Sequence, residues 1–252
     1  MKRNVALAFM AHPDDAEYTC AGALLRLADL GWEVHIATTT AGDCGTTTAR
    51  PVDIAVIRTG EGAAAAALCG ATYHCLWEPD GRVVYDRPAL QKSIDLFRSI
   101  APTLVITMPL SDYHCDHEVT GQLGRAASFV FAAPNASLLP LRPGSTVPYL
   151  YYCDAIGGTD HLGRPVTPTT YVDITHQQEK KAAMLACHAS QREWLRQHNG
   201  VDEFILAMKR MGTLRGNEIG TEAAEGFVQH RGQAYPANDL LAELFPIKKA
   251  TR

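Results

Sequence analysis

Over its first 131 residues the chain passes repeatedly from a short apolar run to a segment with helical spacing, and this alternation constrains the fold more than any other feature. Val5-Ala-Leu-Ala-Phe-Met10 contains no polar residue. An unbroken apolar run of that length is the pattern of a strand covered on both faces, as in a parallel sheet. A strand is predicted over 4–11 and a helix over 17–30, stopped by Gly31. Strand 33–39, an Ala-rich helix over 52–68 closed by Gly70, strand 71–76, helix 87–100, strand 103–107 and helix 118–131 follow. This β-α-β-α-β-α-β-α order predicts a Rossmann-like, doubly wound, mostly parallel α/β sheet with helices on both faces and right-handed crossovers. Beyond residue 132 the pattern is irregular and Pro-rich, then gives strands at 149–153 and 170–174 and helices at 176–196 and 201–215. The stretch 157–169, rich in Gly, Thr and Pro, is the expected mobile loop over a site. At 252 residues the whole chain, 1–252, is expected to form one domain.

Charge and cysteine content narrow the partners. The 23 basic and 27 acidic residues are scattered, with a formal net charge of -4. There is no basic stripe for nucleic acid and no polybasic patch for a membrane, so a small-molecule substrate is expected. The apolar run near the N-terminus is too short for a signal sequence, and no stretch approaches the ~20 apolar residues of a membrane span, so a cytoplasmic protein is expected. Seven cysteines, without a Cys-x-x-Cys pair, read as a reduced set with neither disulfides nor a zinc ribbon.

The chemistry concentrates at two loops. In a doubly wound sheet of order 3-2-1-4, the first strand lies beside strand 103–107, and their carboxyl ends form the switch-point crevice where ligands bind. Ala11-His12-Pro13-Asp14-Asp15-Ala16-Glu17 follows the first strand, and Asp112-Tyr113-His114-Cys115-Asp116-His117 follows the other. Clustered like charges stabilise no packed turn, whereas a bound cation explains them. A catalytic zinc site takes three His or carboxylate ligands and keeps one open position, and His12, Asp15 and His117 can supply that set. Asp14 can then act as general base toward an attacking water, and His114 can face a developing oxyanion with Asp116 holding its tautomer or favouring the imidazolium. Blander roles compete for single residues: a loop histidine at the surface, Asp14 or Asp15 as N-cap of the first helix, Asp116 as N-cap of the helix near 118, Cys115 as a bystander. The constellation, rather than any one residue, favours metal-assisted hydrolysis of an acyl group.

AHPDDAE and HCDH resemble the two signatures of the PIG-L/LmbE-like zinc N-deacetylase superfamily. Arg58-Thr-Gly-Glu61, Pro79-Asp80-Gly81, His188-Ala-Ser190-Gln191 and Arg215-Gly216…Gly220…Glu225-Gly-Phe227 are similar to weaker family patterns, so the resemblance spans residues 5 to 230. It implies one zinc, with iron(II) as the alternative, on His12, Asp15 and His117. It also implies Asp14 as base and proton donor to the leaving amine, His114 as oxyanion donor backed by Asp116, and Arg58 and Asp80 on sugar hydroxyls. The implied substrate is an N-acetylated amino sugar, and the implied assembly a homo-oligomer, a hexamer by analogy. The segment 40–46 and the Glu-Lys-Lys of the late helix look most like the bacillithiol-pathway branch, which acts on N-acetylglucosaminyl malate. Tyr113 stands where those relatives often carry a basic residue, and offers a substrate a stacking face or one hydrogen bond instead. Arg142 or Arg164 is the alternative source of a cation.

Two rivals accompany the deacetylase reading. An amidase cleaving a larger N-acyl or cysteinyl amide fits the same centre, and the room beside the metal separates the two. A non-catalytic sugar- or nucleotide-binding module is expected to carry Gly-x-Gly-x-x-Gly after the first strand, where this chain has His-Pro-Asp-Asp.

Overall fold

The apolar run is strand β1 (Val5–Met10), and all six of its residues are buried. The computed structural model describes residues 4–192, 195 and 204–247. The remaining strands are β2 (Glu33–Thr40), β3 (Thr72–Glu78), β4 (Leu104–Thr107), β5 (Tyr149–Cys153), β6 (Thr170–Asp173) and β7 (Ala224–Gln229). They form a seven-stranded sheet in the order β3-β2-β1-β4-β5-β7-β6. The first five strands pair in parallel, and β7 lies antiparallel between β5 and β6. The switch point falls between β1 and β4, whose register aligns Phe9 with Thr107.

The helices are α1 (Asp15–Thr19), α2 (Ala21–Asp29), α3 (Pro51–Leu68), α4 (Arg87–Ile100), α5 (Cys115–Val130), α6 (Gln178–Ala186), α7 (Phe204–Ile219) and α8 (Leu240–Leu244). Alternate residues of β1 serve the two faces, as strand geometry requires. Ala6, Ala8 and Met10 join the core with Leu24 and Leu27 of α2 and Ala65 and Ala66 of α3. Leu7 and Phe9 join the other core with Phe97 of α4 and Leu123 and Ala127 of α5. Phe9 meets the Phe97 ring edge-on at 5.3 Å, an arrangement contributing about 0.5–1.5 kcal/mol beyond area burial. No helix among the described residues is long and apolar enough to cross a membrane.

The sequence predicts one helix over 17–30, but the structure breaks it at Cys20, whose backbone (φ -142°, ψ 5°) is not helical. The cause lies in β7. The Glu225 carboxylate accepts from the N–H groups of Gly22 at 2.8 Å and Ala23 at 2.7 Å, two of the donors a helix start leaves open. Lys181 of α6 pairs with the same carboxylate at 2.6 Å, so the buried charge is compensated. Helix α5 begins three residues earlier than predicted because His114, rather than Asp116, is its N-cap.

The helix predicted over 176–196 runs to Ala186 in α6, is interrupted at Cys187 and His188, and is helical again at 189–192, while part of its remainder lies outside the described residues. The helix predicted from 201 is observed from Phe204 and runs on to Ile219. The stretch 157–169, expected to be mobile, is closed by a bridge between Thr159 and Pro165, and Arg215 donates to the Val166 carbonyl at 2.9 Å.

Glu225→Ala strands the Lys181 ammonium and two N–H groups in the interior. A loss of about 3–5 kcal/mol in urea unfolding is expected. Lys209→Ala, which breaks the exposed pair with Glu179, is expected to cost less than about 1 kcal/mol.

Candidate metal and catalytic site

The turn from β1 into α1 carries His12, Asp14 and Asp15, and the first turn of α5 carries His117. Gly121, one turn further along α5, lets the helix approach β4: a Cβ there would stand 2.5 Å from the Met108 carbonyl oxygen. The sequence-predicted ligands therefore meet. His12, Asp15 and His117 are all buried, and one donor atom from each lies within 4.8 Å of the others. His12 Nδ1 is 3.4 Å from Asp15 Oδ2, and His117 Nε2 is 3.5 Å from Asp15 Oδ1.

The other nitrogen of each imidazole is tied to a carboxylate outside this triad. His117 Nδ1 lies 2.9 Å from Asp112 Oδ1, and His12 Nε2 lies 3.1 Å from Asp80 Oδ1 and 3.3 Å from Asp116 Oδ2. With those protons held outward, the inward nitrogens present lone pairs, the arrangement that orients metal-ligating histidines. The electrostatics agree. Burial opposes charge on both rings, yet the surrounding carboxylates outweigh it, raising His117 to about 9 and His12 well above its ordinary value. A centre that draws positive charge so strongly fits a divalent cation on His12, Asp15 and His117. An overlapping group of His12, Asp80, His114 and Asp116 is also compact, but both Asp116 oxygens accept backbone N–H groups, whereas Asp15 gives only Oδ2 to one, the His12 N–H at 2.7 Å.

Asp14 is the N-cap residue of α1 and holds φ at 117°, a conformation that non-glycine residues adopt only under strain. It is buried, and burial lifts its carboxyl to about 6 against the opposing charge of Arg58. Arg58 Nη2 donates to Asp14 Oδ2 at 3.3 Å and to the Pro13 carbonyl at 2.9 Å, while Nη1 donates to Gly42 at 3.2 Å. Gly42 (φ +69°) lies so close beneath the guanidinium that any Cβ would collide with it. Arg58, expected on sugar hydroxyls, thus holds Asp14 and its turn, while its buried Nε has no hydrogen-bond partner among the described residues. One helical turn on, Glu61 accepts from Ser190 N at 2.9 Å and Ser190 Oγ at 2.6 Å, so the Arg-x-x-Glu element joins the base to the segment after α6.

His114 accepts the Asp116 backbone N–H on Nδ1 at 3.2 Å, which leaves its proton on Nε2. Burial, and then the neighbouring His12 and His117, lower its pKa, so it is a neutral donor rather than an imidazolium. The Asp116 side chain, expected to back His114, instead accepts from Gly81 N at 2.6 Å and Val83 N at 3.1 Å and faces His12. The peptide N–H of Asp116, not its carboxylate, fixes the His114 tautomer. Asp80 takes the Cys44 N–H at 3.1 Å and turns its other oxygen to His12; burial acts to raise it, but His12 brings it down to about 2. Tyr113 is 66% exposed at the rim, with its ring 5.5 Å from that of His117. Arg142 donates to the carbonyls of Ser99 and Ile100, and Arg164 pairs with Asp160; neither is among the described residues that line the cavity.

Two contributors lie in motifs quoted from the sequence but were given no role there. Asp112 is buried and sets the His117 ring, a role that depends on how the loop before α5 turns back. His188 is fully buried with Nε2 3.3 Å from Glu17 Oε2, linking α1 to the segment after α6. Its only signal was the His-Ala-Ser-Gln pattern.

A doubly wound sheet bearing a buried His-Asp-His cluster and an adjacent aspartate at its switch point defines a candidate metal-dependent enzyme of the acid–base type. Residues 7–128 match the family model described as "PIG-L: GlcNAc-PI de-N-acetylase", so that part of the chain is a PIG-L family domain. The 4-oxalmesaconate hydratase of Pseudomonas putida KT2440 is 25% identical over 241 residues, 90% of this chain and 87% of that one. Among solved structures, the N,N'-diacetylchitobiose deacetylase of Pyrococcus horikoshii superposes with a TM-score of 0.75 at 24% identity, covering 94% of this chain and 88% of its own. The 4-carboxy-2-hydroxymuconate hydratase of Pseudomonas putida KT2440 gives 0.74 at 21%, covering 95% and 100%. A deacetylase and a hydratase therefore share this fold.

Asp112→Ala frees the His117 ring without removing a ligand. Metal affinity, measured by competition with a chromogenic chelator, is expected to fall about 10–100-fold. An unchanged affinity would show that Asp112 does not orient the ligand.

Proposed function

We propose that this protein is a metal-dependent amide hydrolase that removes the N-acyl group, acetyl in the parent case, from a neutral N-acetylglucosamine-type amino sugar or its glycoside. The observation that carries this reading is the pairing, in one cavity, of a buried carboxyl lifted to about 6 at Asp14 with a neutral His114 that keeps its proton on Nε2. Amide hydrolysis needs both a group that takes a proton from water and returns it to nitrogen, and a donor for the carbonyl oxygen as it gains charge.

The chemistry supplied by zinc, or by iron(II), on His12, Asp15 and His117 is Lewis acidity that polarises the carbonyl and lowers the pKa of water. Asp14, oriented by Arg58, accepts the proton of the attacking water. The water oxygen bonds to the carbonyl carbon while His114 Nε2–H donates to the oxygen that becomes anionic. Asp14 then returns its proton to the nitrogen, the C–N bond breaks, and a carboxylic acid and a free amine leave, the acid losing its proton to solvent.

A second reading rests on the Pseudomonas hydratase relative: addition of water across the double bond of an unsaturated oxo-acid. The described lining of the cavity argues against it. Asp14, Asp15 and Asp80 stand there against Arg58, and Arg58 is already bound to Asp14 and two carbonyls. With a divalent cation bound, those three carboxylates are balanced by the metal and Arg58, so the described lining offers no excess positive charge for the further carboxylates of a polyanion, whereas a neutral, hydroxyl-bearing substrate needs none.

Asp14→Asn is expected to lower kcat for deacetylation about 10²–10⁴-fold while the purified protein still takes up zinc. Amine release and metal content measured on one preparation check this, and loss of metal together with activity would make Asp14 a ligand instead. Offered both N-acetylglucosamine glycosides and an unsaturated oxo-dicarboxylate, the zinc-loaded enzyme is expected to release amine; hydration alone would replace the proposal with the second reading.

A further inference from the structure

The cavity has two unlike flanks. Toward the loops after β2 and β3 it is polar, with Cys44, Gly45, Arg58, Asp80 and Gly81. Its apolar lining is Tyr18 of α1, Tyr113 and Ile156 of the loops after β4 and β5, and Phe204 and Ala207 at the start of α7. The apolar flank is firmly backed. Tyr18 and Phe204 stack at 5.7 Å and 26°, and both belong to a cluster with Leu185 of α6 and Met208 of α7. At about 510 Å³ the cavity falls in the range that encloses a whole drug-sized ligand.

An amide is planar and almost always trans, so its two substituents leave the C–N bond in opposite directions. A sugar whose hydroxyls meet the polar flank therefore sends its acyl group across the metal triad toward the apolar one. We propose that the Tyr18–Ile156–Phe204 wall is an acyl subsite and that the preferred substrate is an amino-sugar amide with a straight aliphatic acyl group longer than acetyl. The inference rests on the amide-hydrolase reading above. An acetyl group offers this wall a single methyl, whereas each further methylene laid on it leaves water.

The test uses the zinc-loaded full chain and N-acyl glucosamines from acetyl through butanoyl and hexanoyl to octanoyl, with the octyl glycoside of N-acetylglucosamine as the matched aglycone probe. Amine release is the readout. A rise in kcat/KM of about fourfold per added methylene over the first members is expected, with little gain from the octyl glycoside. Ile156→Asp, which places a charge in the wall, is expected to lower the octanoyl-to-acetyl ratio at least tenfold. Should that variant fail to fold, the wild-type chain-length series still decides the matter. A flat or falling series with acetyl turnover intact would overturn the acyl subsite and leave the hydrolase reading standing. A gain that follows the octyl aglycone instead would also overturn it, and absence of amine from every member would remove both.

Discussion

The site depends on the parallel pairing of β1 with β4. These strands are separated by nearly a hundred residues of chain, yet the register that aligns Phe9 with Thr107 sets the loop after Met10 beside the loop after Thr107. Neither loop holds the complete set of candidate ligands. His12 and Asp15 come from one, and His117 from the other. A slip of one residue in this register would turn every side chain of β4 to the opposite face and withdraw the α5 end from the triad. Packing on both faces of β1 forbids that slip, so the cores enforce the geometry of the cluster.

What the register assembles is costly unless charge is balanced. Asp14, Asp15, Asp80, Asp112 and Asp116 are all buried within two adjoining loops and the turn after β3. Buried carboxylates need hydrogen bonds or opposite charge, and here each finds one: Asp112 and Asp80 on the outward imidazole nitrogens, Asp116 on the Gly81 and Val83 amides, Asp14 on Arg58. Asp15 lies between the two inward nitrogens, where a bound cation would gather the remaining charge. Asp14 stays apart from this pattern. Its opposing guanidinium is shared with two backbone carbonyls, and burial keeps its carboxyl high.

The two principal motifs were legible because their chemistry is local: HPDD and HCDH carry imidazoles and carboxylates at spacings that survive any reasonable drawing of the fold. The first four strands were legible for a similar reason, since a fully apolar run such as Val5–Met10 reads as buried without reference to its neighbours. Directions were not legible. Arg58 was placed near the site by its motif, but only the packing of α3 shows its guanidinium reaching inward to Pro13 and Asp14. Asp116 was assigned to His114 by adjacency, whereas the early start of α5 turns its carboxylate to the β3 loop and His12. Strand β7 was missed because Glu225 and Gly226 interrupt any apolar alternation; that glutamate is there to close the start of α2.

The Glu225 contact also bears on the order in which the molecule can be completed. Gly22 and Glu225 are 203 positions apart. During synthesis the chain through α5 already holds both loops of the site, but the amides that open α2, immediately beyond the turn carrying His12 and Asp15, still lack their acceptor. They gain it only when β7 has emerged and entered the sheet between β5 and β6. Contacts of such long sequence separation close late, because the loop entropy must be overcome first. The earliest motif in the chain therefore reaches its working shape among the last, and a nascent chain lacking β7 keeps the metal-site residues while their supporting helix remains unfinished.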